Sequence, residues 1–249
     1  MSEHEWDAAT YDRIADPQVH WATGVLQRLP LRGDERVLDA GCGSGRVTEL
    51  LLERVPDGSV VALDASARML DEARRRLGAD NPRVAFVRAD LGQPLPVDPP
   101  VDAVFSNAAL HWVPDHEALF RNLADVMCPG APIAAQCGGR GNIASIGEAL
   151  RQVGGGSLGD VAFASPEETR ERMAAAGFED IECWLHDEPT EFEPGEPFER
   201  FLGTIVLRVH VAALPESERA AFVHDVASRL PGPRIDYVRL NITARRAAH

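Results

Sequence analysis

The sequence predicts an α/β protein in which helices cover both faces of a mostly parallel β-sheet, and three observations lead to this fold class. First, short apolar runs rich in β-branched residues alternate with helical patterns over three quarters of the 249-residue chain. Second, about 10–15 residues of helical character separate these runs, as in right-handed crossovers between parallel strands. Third, the last quarter places two helices between two late strands, which favours a mixed sheet edge.

The alternating part contains five predicted strands and three predicted helices. The strands cover residues 36–39, 59–64, 83–89, 101–107 and 132–137, and the helices cover residues 47–55, 67–77 and 117–127. In the last quarter, helix 166–176 stops at Gly177 and is followed by strand 179–186. Helices 197–208 and 216–230 then precede a final strand at 237–244. We therefore expect one domain over residues 1–249, with residues 189–230 inserted as a small helical cap.

The composition excludes several kinds of chemistry. All 25 basic residues are arginine, so the chain has no lysine for a pyridoxal phosphate Schiff base, a Walker A loop or a kinase strand. The net charge of −14 disfavours nucleic acid and anionic membranes as partners. The four cysteines are widely spaced, which argues against a metal site and a disulfide framework. The polar start and the lack of a long apolar run predict a cytoplasmic protein without a membrane span.

A glycine-rich loop between the first strand and the first helix is the central motif. An apolar strand ends in Asp39, and Gly41, Gly43 and Gly45 follow at every second position. Loops after parallel strands lie at the ligand-binding edge of such a sheet. The dinucleotide fingerprint G-x-G-x-x-G requires a third glycine where this chain has Arg46. The alternative interpretation of the loop is a tight strand-to-helix turn.

Two further acids follow the next strands. Asp64 ends the second strand, where a carboxylate accepts hydrogen bonds from both ribose hydroxyls of a nucleoside. Its alternative role is to cap the helix that begins near Ser66. Asp90 ends the third strand, where it can accept from an adenine amino group while the backbone N–H of Leu91 reaches a ring nitrogen. A solvated turn is the alternative for Asp90.

Together these residues resemble the class I S-adenosylmethionine-dependent methyltransferases. The resemblance implies a Rossmann-like, seven-stranded sheet with an antiparallel last strand, and S-adenosylmethionine as the cofactor. It also implies in-line methyl transfer with no metal, in which the protein mainly orients the reactants. The implied cofactor-binding positions are Asp39, Gly41, Gly43, Gly45, Asp64, Ala65, Asp90, Leu91 and Asn107.

The acceptor region is similar to that of one branch of this family. Residues 104–113 and 6–11 resemble the trans-aconitate methyltransferase branch of small-molecule O-methyltransferases, which implies a small, carboxylate-bearing acceptor. Amino-methylating DNA enzymes have two prolines and an aromatic residue after this strand, whereas Asn107 is followed here by Ala108 and Ala109. Nucleic acid is therefore not the expected acceptor.

Five residues are predicted near the acceptor or the methyl group, each with an alternative. His111 is either a general base or a structural histidine that hydrogen-bonds a loop. Trp112 either lines the acceptor pocket or packs against the nucleoside or a helix. Arg140 either orients an anionic acceptor or is a solvated loop residue. By the resemblance, residues 1–30 form a helical lid with Tyr11 pointing at the methyl group and Trp21 near the acceptor, the alternative being an aromatic stripe that packs a helix onto the sheet.

Three rival functions remain open at this point. The first is N-, C- or hydroxyl-O-methylation of a specialised natural product, which a base in the pocket would favour. The second is a non-catalytic S-adenosylmethionine-binding protein. The third is an NAD-dependent oxidoreductase, against which Arg46 in place of the third glycine argues.

Overall fold

A seven-stranded β-sheet organises the molecule in the computed structural model, which describes the backbone of residues 16–248 and the side chains of residues 21–248. Across the sheet the strand order is β3-β2-β1-β4-β5-β9-β6. The strands are β1 (Arg36–Ala40), β2 (Ser59–Asp64), β3 (Val84–Arg88), β4 (Ala103–Asn107), β5 (Pro132–Gly138), β6 (Phe178–Asp187) and β9 (Val238–Arg246). A separate pair is formed by β7 (Thr190–Glu191) and β8 (Arg234–Ile235).

The direction of the strands confirms the predicted sheet. Strands β1 to β5 pair in parallel, and β9 runs antiparallel between β5 and β6. The chain moves outward from β1 to β3 and then returns to the other side of β1 with β4. Ligands bind at such a reversal in open α/β sheets, just beyond the carboxyl ends of the strands.

Nine α-helices surround the sheet in the described part of the chain. They are α1 (Asp16–Arg28), α2 (Arg46–Arg54), α3 (Ala67–Leu77), α4 (His116–Asp125), α5 (Ala144–Gln152), α6 (Pro166–Ala175), α7 (Glu196–Phe201), α8 (Arg208–Ala212) and α9 (Glu216–Ala227). Among these described helices, none is long and apolar enough to cross a membrane.

The alternation of side chains along each strand produces two cores. On one face, Val60 and Ala62 of β2 belong to a cluster with residues of α1, α2 and α3. On the other face, Val61 and Leu63 belong to a cluster with residues of α4 and α6. Burial on both faces explains why the strands near the centre read as continuous apolar runs.

The cap differs from the prediction in two ways. The helix predicted at 197–208 is divided into α7, a π-helical turn at Leu202–Val206 and α8. Helix α5 was not predicted, and its apolar side packs against the cap. The resulting cluster consists of Ile146, Ala149, Leu150, Phe198, Phe201, Leu202, Leu207, Val223, Val226, Leu230 and Ile235.

Candidate functional site

The glycine loop is tied firmly to the end of β2. The backbone N–H groups of Gly41 and Cys42 both donate to the carbonyl oxygen of Leu63, at 2.8 and 2.9 Å. Gly41 has φ +88°, and a Cβ added there would lie 2.2 Å from the Cβ of Ala109. Only glycine therefore allows this close approach between the loop and the segment that follows β4.

Asp64 binds the loop through its carboxylate. The N–H of Gly43 donates to Oδ2 at 2.9 Å, and the N–H of Ser66 donates to Oδ1 at 2.8 Å. Each carboxylate oxygen has a second lone pair, so two further hydroxyl donors can be accepted. The alternative role for Asp64 is taken by Ser66, whose Oγ accepts from the N–H of Met69 and caps α3.

Open space lies next to this carboxylate. Gly43 has φ +55°, and a Cβ added there would meet no atom of the described residues within 4 Å. Burial raises the pKa of Asp64. The loop, the carboxylate and the space beside them form a cradle for a ligand with hydroxyl groups.

Asp39 lies beneath the glycine loop and is buried. The hydroxyl of Thr48 donates to its Oδ2 at 2.7 Å. Burial raises the pKa of Asp39 to about 7, and the charge of Asp64 acts in the same direction. A nearby cation would favour the ionised form of this carboxyl.

The remaining predicted cofactor positions lie along the same sheet edge. The Oδ1 of Asp90 accepts from the N–H of Gly92 at 2.9 Å, in a half-buried turn. Leu91 is buried, and its carbonyl accepts from the side-chain amide of Asn122. Ala65 is exposed directly after β2, and Asn107 is half-buried at the end of β4.

His111 lies at the same carboxyl edge of the sheet, beyond the ends of β4 and β5 rather than β1 and β2. The N–H of Gly138 donates to its Nδ1 at 3.3 Å, which places the proton of the neutral ring on Nε2. Burial lowers the pKa of His111 to about 3, and the positive charge of Arg239 adds to this effect. At neutral pH the ring is therefore neutral, which favours the alternative of a structural histidine, and a role as general base stays a prediction.

Aromatic side chains surround this histidine. Its ring centroid lies 5.0 Å from that of Trp112 and 5.8 Å from that of Phe163. On α1, the buried Trp21 packs edge-on against Tyr237 with centroids 5.2 Å apart. Tyr11, predicted to point at the methyl group, lies outside the described residues.

The structure does not bring the Arg140 side chain into this group. Its Nη2 forms an ion pair with Oε1 of Glu168 at 2.6 Å, and 61% of the side chain is exposed. Glu168 also completes the capping box of α6 with Ser165. This contact favours the alternative of a solvated loop residue, and a role for Arg140 in orienting an anionic acceptor stays a prediction.

Comparison with known proteins supports a methyltransferase. A family model described as a methyltransferase domain matches residues 37–130. Trans-aconitate 2-methyltransferase of Methylobacterium nodulans is 40% identical over 182 residues, covering 73% of this chain and 67% of the relative. The protein of the same name from Variovorax paradoxus is 42% identical over 132 residues, covering 53% of this chain and 49% of the relative.

The chain belongs to the class I S-adenosylmethionine-dependent methyltransferases, in the branch of the trans-aconitate enzymes. For several of these methyltransferase relatives, the match spans about half of their length, as in the 49% for Variovorax paradoxus.

Solved structures agree on the methyltransferase fold. Haemonchus contortus phosphoethanolamine N-methyltransferase 2, in complex with phosphomonomethylethanolamine and S-adenosylhomocysteine, has a TM-score of 0.66 and 19% identity. The match covers 96% of this chain and 57% of that one. A Haloferax volcanii methyltransferase, in complex with the Trm112 activator, has a TM-score of 0.64, 21% identity and coverage of 100% and 99%.

The cradle of this methyltransferase fits S-adenosylmethionine, its family's cofactor. The open space over Gly43 admits a ligand against the backbone, and Asp64 has acceptor capacity for two hydroxyls. Asp39 provides a buried acid near the loop for a cationic group. Asp90 remains the predicted partner of the adenine amino group.

Sequence reasoning missed several residues that the structure places around the predicted acceptor positions. Phe163 lies beside His111, Tyr237 and Arg239 lie beside Trp21, and Gln136 binds Arg239. The available signals were polar residues within apolar strands, namely Gln136 in β5 and Arg239 and Asn241 in β9. Those in β9 were not informative, because the sequence predicts this strand near the sheet edge, where polar residues are often solvated, whereas β9 is internal.

Proposed function

We propose that the enzyme methylates a carboxylate oxygen of a small metabolite and so forms a methyl ester. The relatives at about 40% identity are named trans-aconitate 2-methyltransferases, which supports a carboxylic acid as the acceptor. In this proposal, Asp64, Asp39 and the glycine loop hold S-adenosylmethionine, which supplies an activated methyl group when bound. The aromatic side chains around His111 enclose the acceptor.

The observation that carries the proposal is the chemical state of His111. This ring is buried, accepts a backbone N–H at Nδ1, and has a pKa of about 3. Such a ring does not take a proton from a hydroxyl or an ammonium group at neutral pH. A carboxylic acid is already ionised there, so its oxygen needs no base before it attacks.

The protein's remaining task is to bring the two reactants together in the correct geometry. Orientation of this kind can lower the barrier by several kcal/mol. Methylation of a hydroxyl oxygen or of carbon requires a proton acceptor, and the neutral, buried His111 is poorly suited to that role. This is why the carboxylate acceptor is favoured.

The test is transfer of label from methyl-labelled S-adenosylmethionine to trans-aconitate and to a panel of small carboxylic acids. We expect labelled products that release methanol in mild alkali, as methyl esters do. Label that survives alkali would show an ether, amine or carbon product and overturn the proposal. Binding of S-adenosylmethionine without transfer to any acid would instead support a non-catalytic binding protein.

A further inference from the structure

A polar network lies inside the sheet, on the face that α1 covers. The side-chain oxygen of Gln136 accepts from Nε of Arg239 at 3.3 Å, and the Gln136 amide donates to Oδ1 of Asn241 at 2.8 Å. Nη1 of Arg28 donates to the same Asn241 oxygen at 2.5 Å. Gln136, Arg239 and Asn241 are all at least 96% buried. Polar side chains at interior strand positions are costly to desolvate, which calls for a reason beyond packing.

Arg239 lies at the edge of the sheet where the reactants meet. It pairs with Gly138, the last residue of β5, across the antiparallel ladder. The N–H of this same Gly138 donates to His111. The charge of Arg239 is also close enough to contribute to the low pKa of His111. Arg239 and His111 therefore belong to the same end of the site.

The position of the guanidinium is well determined. Its central carbon lies 4.3 Å from the ring centroid of Trp21, and Trp21 itself is held by Tyr237. Gln136 fixes the Nε side of the group. A planar guanidinium held in this way is suited to a carboxylate, because the fork of N–H donors matches the two oxygens.

We infer that Arg239 binds a carboxylate of the methyl acceptor, in the role that the sequence had suggested for Arg140. This inference rests on the proposed carboxylate methylation. An arginine that pairs with a carboxylate lowers its basicity and hence its nucleophilicity. The carboxylate on Arg239 is therefore distinct from the one that is methylated, and the acceptor has at least two carboxylates.

The experiment compares the variants Arg239→Gln and Arg239→Lys with the wild type, using trans-aconitate as a polycarboxylate probe and crotonate as a monocarboxylate probe. For Arg239→Gln we expect the KM for trans-aconitate to rise about 10- to 100-fold, as for loss of a charge-assisted bidentate contact. Arg239→Lys keeps the charge and should give an intermediate KM. The preference for trans-aconitate over crotonate should largely disappear in Arg239→Gln.

Arg245→Gln is the matched control, because Arg245 is an exposed residue at the far end of the same strand, where its side chain donates to the carbonyl of Gly130. Its kinetics should match the wild type. The affinity of Arg239→Gln for S-adenosylmethionine, measured by calorimetry, should stay within about twofold of the wild type.

Two results would overturn the inference while leaving carboxylate methylation intact. One is a KM for trans-aconitate in Arg239→Gln within about threefold of the wild type. The other is an equal loss of kcat with both acids together with loss of cofactor affinity, which would indicate a structural role. If the wild type methylates no carboxylic acid, the proposed function itself fails, and the inference fails with it.

Discussion

Asp64 connects the two parts of the cofactor cradle through one carboxylate. One oxygen fixes the glycine loop at Gly43, and the other fixes the start of the segment after β2 at Ser66. These two contacts orient the carboxylate before any ligand arrives. We predict that the remaining lone pairs accept from the ribose hydroxyls at little further cost in entropy.

We expect Asp64→Ala to weaken binding of S-adenosylmethionine by more than tenfold. Two ribose hydrogen bonds are lost, each worth on the order of 1 kcal/mol, and the loop loses its anchor at Gly43. Calorimetry measures the affinity directly. Asp71→Ala is the control, since Asp71 is an exposed residue of α3 that pairs with Arg74. An affinity of Asp64→Ala within twofold of the wild type would remove Asp64 from the ribose site.

Asp39 should make cofactor binding depend on pH. Its pKa of about 7 means that the cofactor-free protein holds this carboxyl protonated in mild acid. A cationic ligand favours the ionised form, so the affinity for S-adenosylmethionine should fall as the pH drops below about 7. Titration calorimetry between pH 5.5 and 8.5 measures this slope, and in Asp39→Asn the slope should be absent.

The same carboxyl also affects folding stability, with a definite sign. Its pKa is about 7 in the folded chain and about 3.9 when unfolded. Between these values the folded state binds more protons, so the contribution of Asp39 to stability falls as the pH rises from about 4 to about 7. Above pH 7 it is constant. Denaturation of Asp39→Asn should lack this part of the pH dependence.

The pH dependence of the rate should show no ionisation of His111 near neutral pH. Because its pKa is lowered to about 3, the ring stays neutral across the working range. With both substrates saturating, we expect kcat to be level from pH 6 to 9, and His111→Asn should have a profile of the same shape. A limb near pH 6.5 that disappears in His111→Asn would show that the histidine acts as a base.

At the level of elements, the glycines of the loop have different roles, one in packing against the protein and one in ligand binding. Gly41 faces Ala109, whereas Gly43 faces space that no described residue fills. Gly41→Ala should therefore lower both the melting temperature and cofactor affinity, since its Cβ clashes with protein. Gly43→Ala should lose cofactor affinity with a much smaller change in melting temperature, limited to the strain of a positive φ of about 1–2 kcal/mol.

Thermal denaturation and calorimetry on the two variants provide the comparison. Equal losses of stability would contradict the assignment of Gly43 to the ligand side. Unchanged affinity in Gly43→Ala would do the same.

The elements of the cofactor half were predictable from the sequence because their signals are local. Strand β2 and helix α3 were predicted at the bounds that the structure has, since an apolar run ends at Asp64 and Ser66 caps the helix. Helix α5 was missed because its N-cap is Ile143, with φ +49° and no polar capping side chain. The acceptor half depends on contacts between distant elements, as between Arg239 and Trp21, and a single sequence does not show these.

At the level of the whole molecule, the site has two parts, and different apolar clusters stabilise them. The cofactor part stands on β1 and β2, whose side chains are buried on both faces by the two sheet clusters. The proposed acceptor part lies between the ends of β4, β5 and β9 and the cap, which has an apolar cluster of its own. Tyr237 connects the cap to α1, because it packs against the cap cluster and also contacts Trp21.

This division predicts that a cavity in the cap impairs acceptor binding and spares the cofactor. Phe201 is buried in the cap cluster, with its ring 4.5 Å from that of Phe192. Phe201→Ala should cost about 3–5 kcal/mol locally, enough to raise hydrogen exchange in residues 190–235. We expect the acceptor KM to rise severalfold while the affinity for S-adenosylmethionine stays within about twofold.

Phe120→Ala is the matched comparison, because Phe120 is equally aromatic but is buried in a sheet cluster beside Phe178. This variant should lower the melting temperature and cofactor affinity together, since Phe120 packs α4 against the sheet that carries the cofactor cradle. If Phe201→Ala instead lowers cofactor affinity as much as Phe120→Ala does, the cap and the sheet unfold as a single unit. The whole molecule would then stabilise the acceptor site, and the weaker acceptor binding of Phe201→Ala would reflect general destabilisation rather than a defect in the cap.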